Sequence, residues 1–107
     1  MSEESGRFLA LVGSYRLAPE DAPAFAEIAR RCVALTVVKP GCLYFTIAED
    51  VSVPGLFHLS EGWADRAALD AHLSSADFAA ILAEAGRLRV LGRTAFVAEA
   101  SGRRSLF

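Results

Sequence analysis

The sequence predicts one α+β domain with a ferredoxin-like β-α-β-β-α-β order, in which helices cover one face of an antiparallel sheet. Short apolar segments rich in β-forming residues are bounded by turn signals such as Pro40-Gly41 and Pro54-Gly55. Between them lie segments whose apolar residues recur every three or four positions, as in amphipathic helices. A chain of 107 residues has the size of one domain, so residues 1–107 are assigned to a single unit.

The first strand and the first helix occupy the amino-terminal third of the chain. Phe8 to Tyr15 is an apolar run that predicts a buried strand, and it ends before Ala18-Pro19, where proline can open a helix. The apolar spacing then predicts a helix over about residues 20–36. Its inner stripe consists of Phe25, Ile28, Cys32 and Leu35.

Two strands joined as a hairpin are predicted next, over Cys42 to Ala48 and over Leu56 to Trp63. In the first of them, alternation places Leu43, Phe45 and Ile47 on one face. In the second, alternation places Phe57, Leu59, Glu61 and Trp63 on one face. Tyr44 and His58 belong to the opposite face, where they are expected to line the seam between two subunits.

Two short helices and a last strand complete the prediction. Asp65 is expected to cap a helix that ends near Leu73, and its inward residues are Ala68, Leu69 and His72. Ser74 to Asp77 matches a capping box, so a second helix is expected to begin there and to end at Gly86. Its inward residues are Phe78, Ile81 and Leu82. Val90 to Ala98 predicts the last strand.

Composition and charge restrict the classes of partner. The net charge is −2 and the basic residues are scattered, which argues against nucleic acid and anionic membranes. No apolar run is long enough to span a bilayer. Hydrophobic residues make up 53% of the chain, and the helices leave one sheet face uncovered. A homodimer with sheet packed against sheet is therefore expected.

The two ends and the two cysteines bear on the environment of the protein. Residues 1–6 and 101–107 are polar and are expected to be mobile tails. The start, MSEESGR, is acidic where a secretory signal would be basic and then apolar, so a cytoplasmic location is expected. Cys32 and Cys42 are too few for a disulfide framework or a zinc cage and are interpreted as small hydrophobic residues.

Three side chains are candidates for chemistry. Alternation puts Glu61 and Trp63 on the same strand face, and the helix that carries His72 packs back over that strand. His72 is the candidate general base, with a hydrogen-bonded core histidine as the alternative. Glu61 either pairs with a buried donor, such as His72 or an arginine, or lines a cavity. Trp63 either anchors the core or forms a flat wall for a planar ligand.

Motifs for cofactors are absent from the sequence. No glycine-rich phosphate-binding loop follows a strand, and no His/Cys/Asp cluster has metal-ligand spacing. The sequence therefore predicts neither a nucleotide site nor a metal site, and no cofactor.

Four motifs stand out along the chain. They are Lys39-Pro40-Gly41-Cys42-Leu43-Tyr44-Phe45, Phe57-x-x-x-Glu61-x-Trp63, Ala67-x-x-x-Ala71-His72-Leu73 and Ser75-x-x-Phe78. Together they resemble the antibiotic biosynthesis monooxygenase superfamily of small dimeric α+β barrel proteins. The resemblance implies a homodimer whose two sheets form a barrel, with one pocket per subunit between sheet and helices.

The resemblance also implies an activity similar to that of quinol monooxygenases, in which a quinol or polycyclic phenol itself reduces dioxygen without metal, flavin or haem. Under this hypothesis His72, assisted by Glu61, is the base or a hydrogen-bond partner, and Trp63 stacks on the small aromatic substrate. The substrate-binding residues would be Phe45, Phe57, Leu59 and Phe78.

Two other functional classes stay open. An isomerase of a small phosphorylated carbonyl compound would need cations such as Arg16, Arg89 or Arg93 turned toward the pocket. In a non-catalytic dimer that binds a small ligand, Glu61 and His72 would only satisfy each other in the core.

Haem degradation is not expected from the resemblance. The haem-degrading branch of the superfamily carries an axial histidine where this chain has Ile81 and Leu82. That branch also has an asparagine on its first strand, and this chain contains no asparagine.

Overall fold

The computed structural model describes residues 6–107. In it the chain forms a four-stranded antiparallel sheet and three α-helices. The strands are β1 (Phe8–Leu17), β2 (Cys42–Glu49), β3 (Leu56–Trp63) and β4 (Val90–Ala100). The helices are α1 (Ala22–Thr36), α2 (Arg66–Leu73) and α3 (Ala76–Ala85). The strand order is β2-β3-β1-β4. This architecture confirms the predicted ferredoxin-like α+β fold.

The ends of several elements differ from the predicted ones for local reasons. Strand β1 continues to Leu17 and β4 to Ala100, because the two strands pair from Phe8 opposite Ala100 to Leu17 opposite Val90. Helix α1 begins at Ala22, since Pro19–Asp21 forms a separate 3-10 turn. Asp65 caps α2 as predicted, and its carboxylate accepts a hydrogen bond of 2.8 Å from the backbone N–H of Ala68.

The predicted capping box at the start of α3 is wrong. Ser74 is the C-cap of α2, where its hydroxyl donates to the carbonyl of Asp70 at 2.9 Å. Ser75 is the N-cap of α3, and its hydroxyl donates to the carbonyl of His72 at 2.7 Å. The serine side chains therefore close the end of α2 instead of capping α3. Leu82, predicted to face inward, is 37% exposed.

A bulge in β2 changes which residue enters the core. Cys42 lies opposite Trp63 and Tyr44 lies opposite Gly62, so Leu43 is an extra residue in this strand. Leu43 is 47% exposed, whereas Cys42 packs against the core. The expectation that Leu43 shares the inner face with Phe45 and Ile47 is therefore wrong.

The inner sheet face and the helices enclose the core. Phe25 of α1 packs on Phe57 of β3 with ring centroids 4.7 Å apart, and Ile28 and Cys32 are buried beside them. The opposite, outer face carries the predicted Tyr44 and His58. His58 is exposed and lies 2.8 Å from a carboxylate oxygen of Asp50.

Large apolar side chains on the sheet are left open to solvent. Val12 in β1 is 49% exposed and Phe96, opposite it in β4, is 68% exposed. Both belong to the outer face, which the helices do not cover.

The two predicted tails have different outcomes. The first one lies, apart from residue 6, outside the described residues. Residues 101–107 form neither helix nor strand, and Arg103 lies over the rings of Phe8 and Tyr44, 5.7 and 5.2 Å from their centroids. The expected mobility of this segment stays a prediction.

The turn before β2 requires a glycine. Gly41 has a φ of 82°, and a Cβ at this position would collide with the Cβ of Ala68 in α2. The carbonyl of Gly41 also accepts a hydrogen bond of 2.8 Å from the backbone N–H of Ala64. The turn therefore ties the end of β3 to the start of β2.

We expect Gly41→Ala to lower the free energy of unfolding by about 1 to 3 kcal/mol, because it combines a left-handed backbone with a steric clash. Gly92→Ala is the matched control, since a Cβ at Gly92 would meet no heavy atom within 4 Å. Urea denaturation of both variants measures the difference. Equal losses in the two variants would contradict this role of Gly41.

Candidate functional site

The structure brings Glu61, Trp63 and His72 together in the core. Glu61 and Trp63 share the inner face of β3 and are 5% and 0% exposed, and His72 on α2 is 2% exposed. The rings of Trp63 and His72 stack, with centroids 4.9 Å apart and planes 22° apart. The three side chains therefore lie together in the core. Alternation along β3 and the inward stripe of α2 predicted this placement.

Glu61 has a partner other than those predicted. Its Oε1 accepts a hydrogen bond of 2.9 Å from the indole N–H of Trp63, and neither His72 nor an arginine fills that place. Burial raises the pKa of the Glu61 carboxyl, and the hydrogen bond from Trp63 opposes that rise. The result is a carboxyl group that holds a proton more readily than a solvated one.

His72 has one paired and one unpaired ring nitrogen. Its Nδ1 lies 3.0 Å from the Nζ of Lys39. Its Nε2 is buried and has no hydrogen-bond partner among the residues that the structure describes. Burial first, and then the charge of Lys39, lower the pKa of His72 from 6.5 to about 4. The imidazole is therefore neutral at neutral pH.

Lys39 connects the turn before β2 to the start of α3. Its Nζ lies 3.0 Å from Ser75 Oγ and 2.8 Å from Asp77 Oδ1, in addition to its contact with His72. The hydrogen bond from Lys39 is the main reason that the pKa of Asp77 is lowered to about 2. Lys39 and Asp77 therefore form an ion pair at the edge of the buried cluster.

Lys39 lies within one of the four family motifs, but the sequence pattern gives it no role. It is separated from His72 by a strand hairpin and most of a helix, so no helical or strand periodicity connects the two residues. One signal was available, because Lys39 is the only lysine in a chain that otherwise uses arginine.

A small apolar cavity of about 60 Å³ lies between the sheet and helices α1 and α3. Three of the four predicted substrate-binding residues line it, namely Phe45, Leu59 and Phe78. Phe57 does not line this cavity. It borders a separate open groove together with Ala26 and Glu49.

A single layer of side chains separates this cavity from His72. Phe45 and Phe78 line the cavity and also contact the imidazole, with ring centroids 5.9 and 4.3 Å from that of His72. A volume of about 60 Å³ holds about two water molecules. An aromatic ring can enter only after the side chains around the cavity move apart.

An open hollow of about 550 Å³ lies on the other side of the cluster. Its lining includes Lys39, Gly41, Asp65 and His72. His72 therefore stands between this hollow and the two rings that border the interior cavity.

The arginines considered for phosphate binding do not line the interior cavity. Arg89 pairs with Asp21 at 3.3 Å, and Arg93 donates a hydrogen bond of 3.4 Å to the hydroxyl of Tyr15. Arg16 is exposed on the outer sheet face. The apolar walls argue against a phosphorylated substrate in this cavity.

Residues 6–107 contain neither a metal-binding cluster nor a membrane-spanning helix. No group of three or more His, Cys, Asp or Glu side chains in this range has a metal-binding arrangement. No helix in the same range has the length and apolar character needed to cross a membrane.

Comparisons with known proteins identify a family. Residues 8–84 match the family model described as antibiotic biosynthesis monooxygenase. Among curated proteins, none matches the chain significantly.

Solved structures with the same fold match this chain over most of its length. A Deinococcus radiodurans protein, classed provisionally as an antibiotic biosynthesis monooxygenase, is 22% identical over 92% of this chain and 98% of its own, with a TM-score of 0.86. A structure described as an antibiotic biosynthesis monooxygenase is 26% identical over 88% and 99%, with a TM-score of 0.80. A Nitrosomonas europaea protein, provisionally classed likewise, is 19% identical over 95% of each chain, with a TM-score of 0.79.

The lowered pKa of His72 predicts acid sensitivity. Because the unfolded state binds a proton near pH 6.5 and the folded state only near pH 4, stability decreases as the pH falls through this window. We expect His72 to contribute a loss of about 2 kcal/mol in the free energy of unfolding between about pH 7 and pH 5, whereas the raised pKa of Glu61 acts in the opposite direction.

Denaturant titration at the two pH values measures this loss. His72→Phe should lack it, whereas His58→Gln should retain it, because His58 is exposed on the outer face. An equal decrease in the His72→Phe variant would assign the acid sensitivity to other groups.

Proposed function

The chain belongs to the antibiotic biosynthesis monooxygenase family, and from this premise we propose that it is a cofactor-independent monooxygenase acting on a quinol or a polycyclic phenol. The observation that carries the proposal is the buried cluster of Glu61, Trp63 and His72 beside an apolar cavity. Buried polar groups of this kind are costly for stability, so their presence in the core favours a function.

The proposed reaction uses the substrate as its own reductant. The phenolate transfers one electron to dioxygen, and the two radicals combine to form a carbon–oxygen bond on the ring. The peroxide anion takes up from solvent the proton that the phenol released, and loss of water from the resulting hydroperoxide leaves a ring carbonyl. One oxygen atom therefore enters the product and the other leaves as water. The phenol plus dioxygen thereby gives a quinone plus water. A dry cavity would keep the radical pair away from solvent.

The roles of the cluster follow from its contacts. Trp63 would provide a flat surface for the aromatic ring, held in place by its hydrogen bond to Glu61. Of the two roles considered for His72, its contact with Lys39 favours that of hydrogen-bond partner over that of general base. Phe45, Leu59 and Phe78 would surround the reacting molecules. Dioxygen is small enough for the cavity, whereas the substrate ring would displace part of its apolar lining.

We expect the metal-free protein to take up oxygen with at least one member of a panel of quinols. His72→Phe keeps the ring volume but removes the hydrogen-bonding nitrogen atoms, and it should reduce the rate by about a hundredfold or more. An oxygen electrode measures the uptake, and His58→Gln is the control at the other histidine.

Uptake that is unchanged in the His72→Phe variant would remove His72 from the mechanism. Absence of uptake with every substrate would favour the non-catalytic alternative, a dimer that binds a small ligand.

We also propose that the protein forms a homodimer through its outer sheet face. Val12 and Phe96 lie opposite each other there and are both largely exposed. Burying such a face against a second copy would remove this apolar area from water.

Val12→Arg is expected to shift the protein toward the monomer, because it would place a charge in the proposed seam. Val38→Arg is the matched control, since Val38 is 79% exposed outside the sheet. Light scattering at micromolar concentration measures the mass. A monomeric wild-type protein would contradict the dimer.

A further inference from the structure

We propose that Lys39 is a positioning residue that fixes His72 as a hydrogen-bond donor, and that the Nε2–H of His72 binds the ionised oxygen of a phenolate. This inference rests on the proposed function, because it concerns the phenol oxygen of the same substrate. It assigns a role to Lys39 and specifies the protonation state in which the substrate binds.

The contacts of Lys39 determine which nitrogen of His72 carries the proton. Its Nζ lies 2.8 Å from the carboxylate of Asp77, so the amine is the charged partner of an ion pair. An ammonium group has three N–H donors and no lone pair. Three groups surround it at hydrogen-bond distance, namely His72 Nδ1, Ser75 Oγ and Asp77 Oδ1. The Nδ1 of His72 must therefore accept, and it carries no proton.

A neutral imidazole without a proton on Nδ1 carries it on Nε2. This places an N–H donor in the buried part of the ring, where it has no partner among the described residues. A buried donor without a partner destabilises the folded protein. An oxygen atom of a bound molecule would satisfy it, so the orphaned donor indicates where a ligand accepts.

The surroundings of the His72 ring favour an aromatic molecule with an anionic oxygen. The imidazole packs against Phe45 and Phe78, which line the apolar cavity, and against the indole of Trp63. The positive charge of Lys39 on Nδ1 polarises the ring and strengthens the N–H donor at Nε2. An N–H donor stabilises a phenolate more than a phenol, so binding lowers the pKa of the bound phenol.

The proton balance then needs no base at His72. The phenol releases its proton to solvent as the anion binds, and His72 keeps its own proton throughout. The charged and titratable groups near His72 are Lys39 on the turn, Asp77 on α3 and Glu61 on β3. The charge of Asp77 is compensated by Lys39, and the Oε1 of Glu61 accepts the hydrogen bond from the indole of Trp63. Each carboxyl group therefore has a partner that reduces its repulsion of the anion.

The first test uses the wild-type protein alone. Nitrogen-15 NMR of labelled histidine distinguishes the two neutral tautomers and the charged imidazole. We expect His72 to show the Nε2–H form at neutral pH. A proton on Nδ1, or on both nitrogens, would overturn the inference whatever the activity of the protein.

The second test measures phenolate binding with 4-nitrophenol, whose ionisation changes its absorbance. Wild-type protein should lower the pKa of the bound probe. Lys39→Met should reduce the preference for the phenolate over the phenol about tenfold, so the pKa of the bound probe should rise by about 1. Lys39→Arg should restore part of it, because arginine keeps the charge but presents a planar fork. Failure of the wild-type protein to bind the nitrophenolate would overturn the inference.

Arg66→Met is the matched control, because Arg66 is an exposed cation on the same helix as His72 and, within residues 6–107, pairs only with Asp70. It should bind the probe like the wild-type protein, and circular dichroism should show all variants folded. A Lys39→Met variant that prefers the phenolate as strongly as the wild-type protein would also overturn the inference.

The two proposals can fail separately. Nitrophenolate binding and the Nε2–H tautomer without any oxygen uptake would remove the monooxygenase activity and keep the role of Lys39. Oxygen uptake with His72 protonated on Nδ1 would keep the activity and remove the role of Lys39.

Discussion

The stacking of His72 on Trp63 is the contact on which the rest of the site depends. It joins α2 to β3, and hydrogen bonds extend from both rings to the polar groups around them. The indole holds Glu61, and the imidazole holds Lys39, which in turn reaches Ser75 and Asp77 at the start of α3. A buried network of this kind specifies one arrangement, because loss of any member leaves another polar group without a partner. The positions of the hairpin and of both short helices are thereby coupled.

Aromatic packing around His72 leaves little free space in the site. Three aromatic rings surround the imidazole, and the cavity beyond them has a volume of only about 60 Å³. Burial of this degree makes a neutral imidazole more stable than a charged one, and the ammonium of Lys39 adds to that preference. Packing and electrostatics therefore act in the same direction on His72, and both depend on residues outside the cluster of Glu61, Trp63 and His72.

The sequence allowed the fold and the placement of the cluster to be predicted, but not its bonding. Alternation along β3 and the stripe on α2 are local patterns, and they put Glu61, Trp63 and His72 on facing surfaces. The hydrogen-bond partner of each polar group depends on tertiary geometry. The sequence suggested His72 or an arginine as the donor to Glu61, whereas the donor in the structure is Trp63. A two-residue period does not predict a bulge, so it assigned Leu43 to the wrong face of the sheet. No pattern pointed to a role for Lys39, because a hairpin separates it from His72 in the sequence.

The position of β3 in the sheet has a consequence for local opening. This strand is hydrogen-bonded to β1 on one side and to β2 on the other, whereas β4 is an edge strand that, among the four described strands, pairs with β1 alone. Fluctuations that detach an edge strand break one ladder, but detaching β3 breaks two. The backbone amides of β3 should therefore exchange with solvent more slowly than those of β4, and Glu61 and Trp63 keep their alignment while the edge frays.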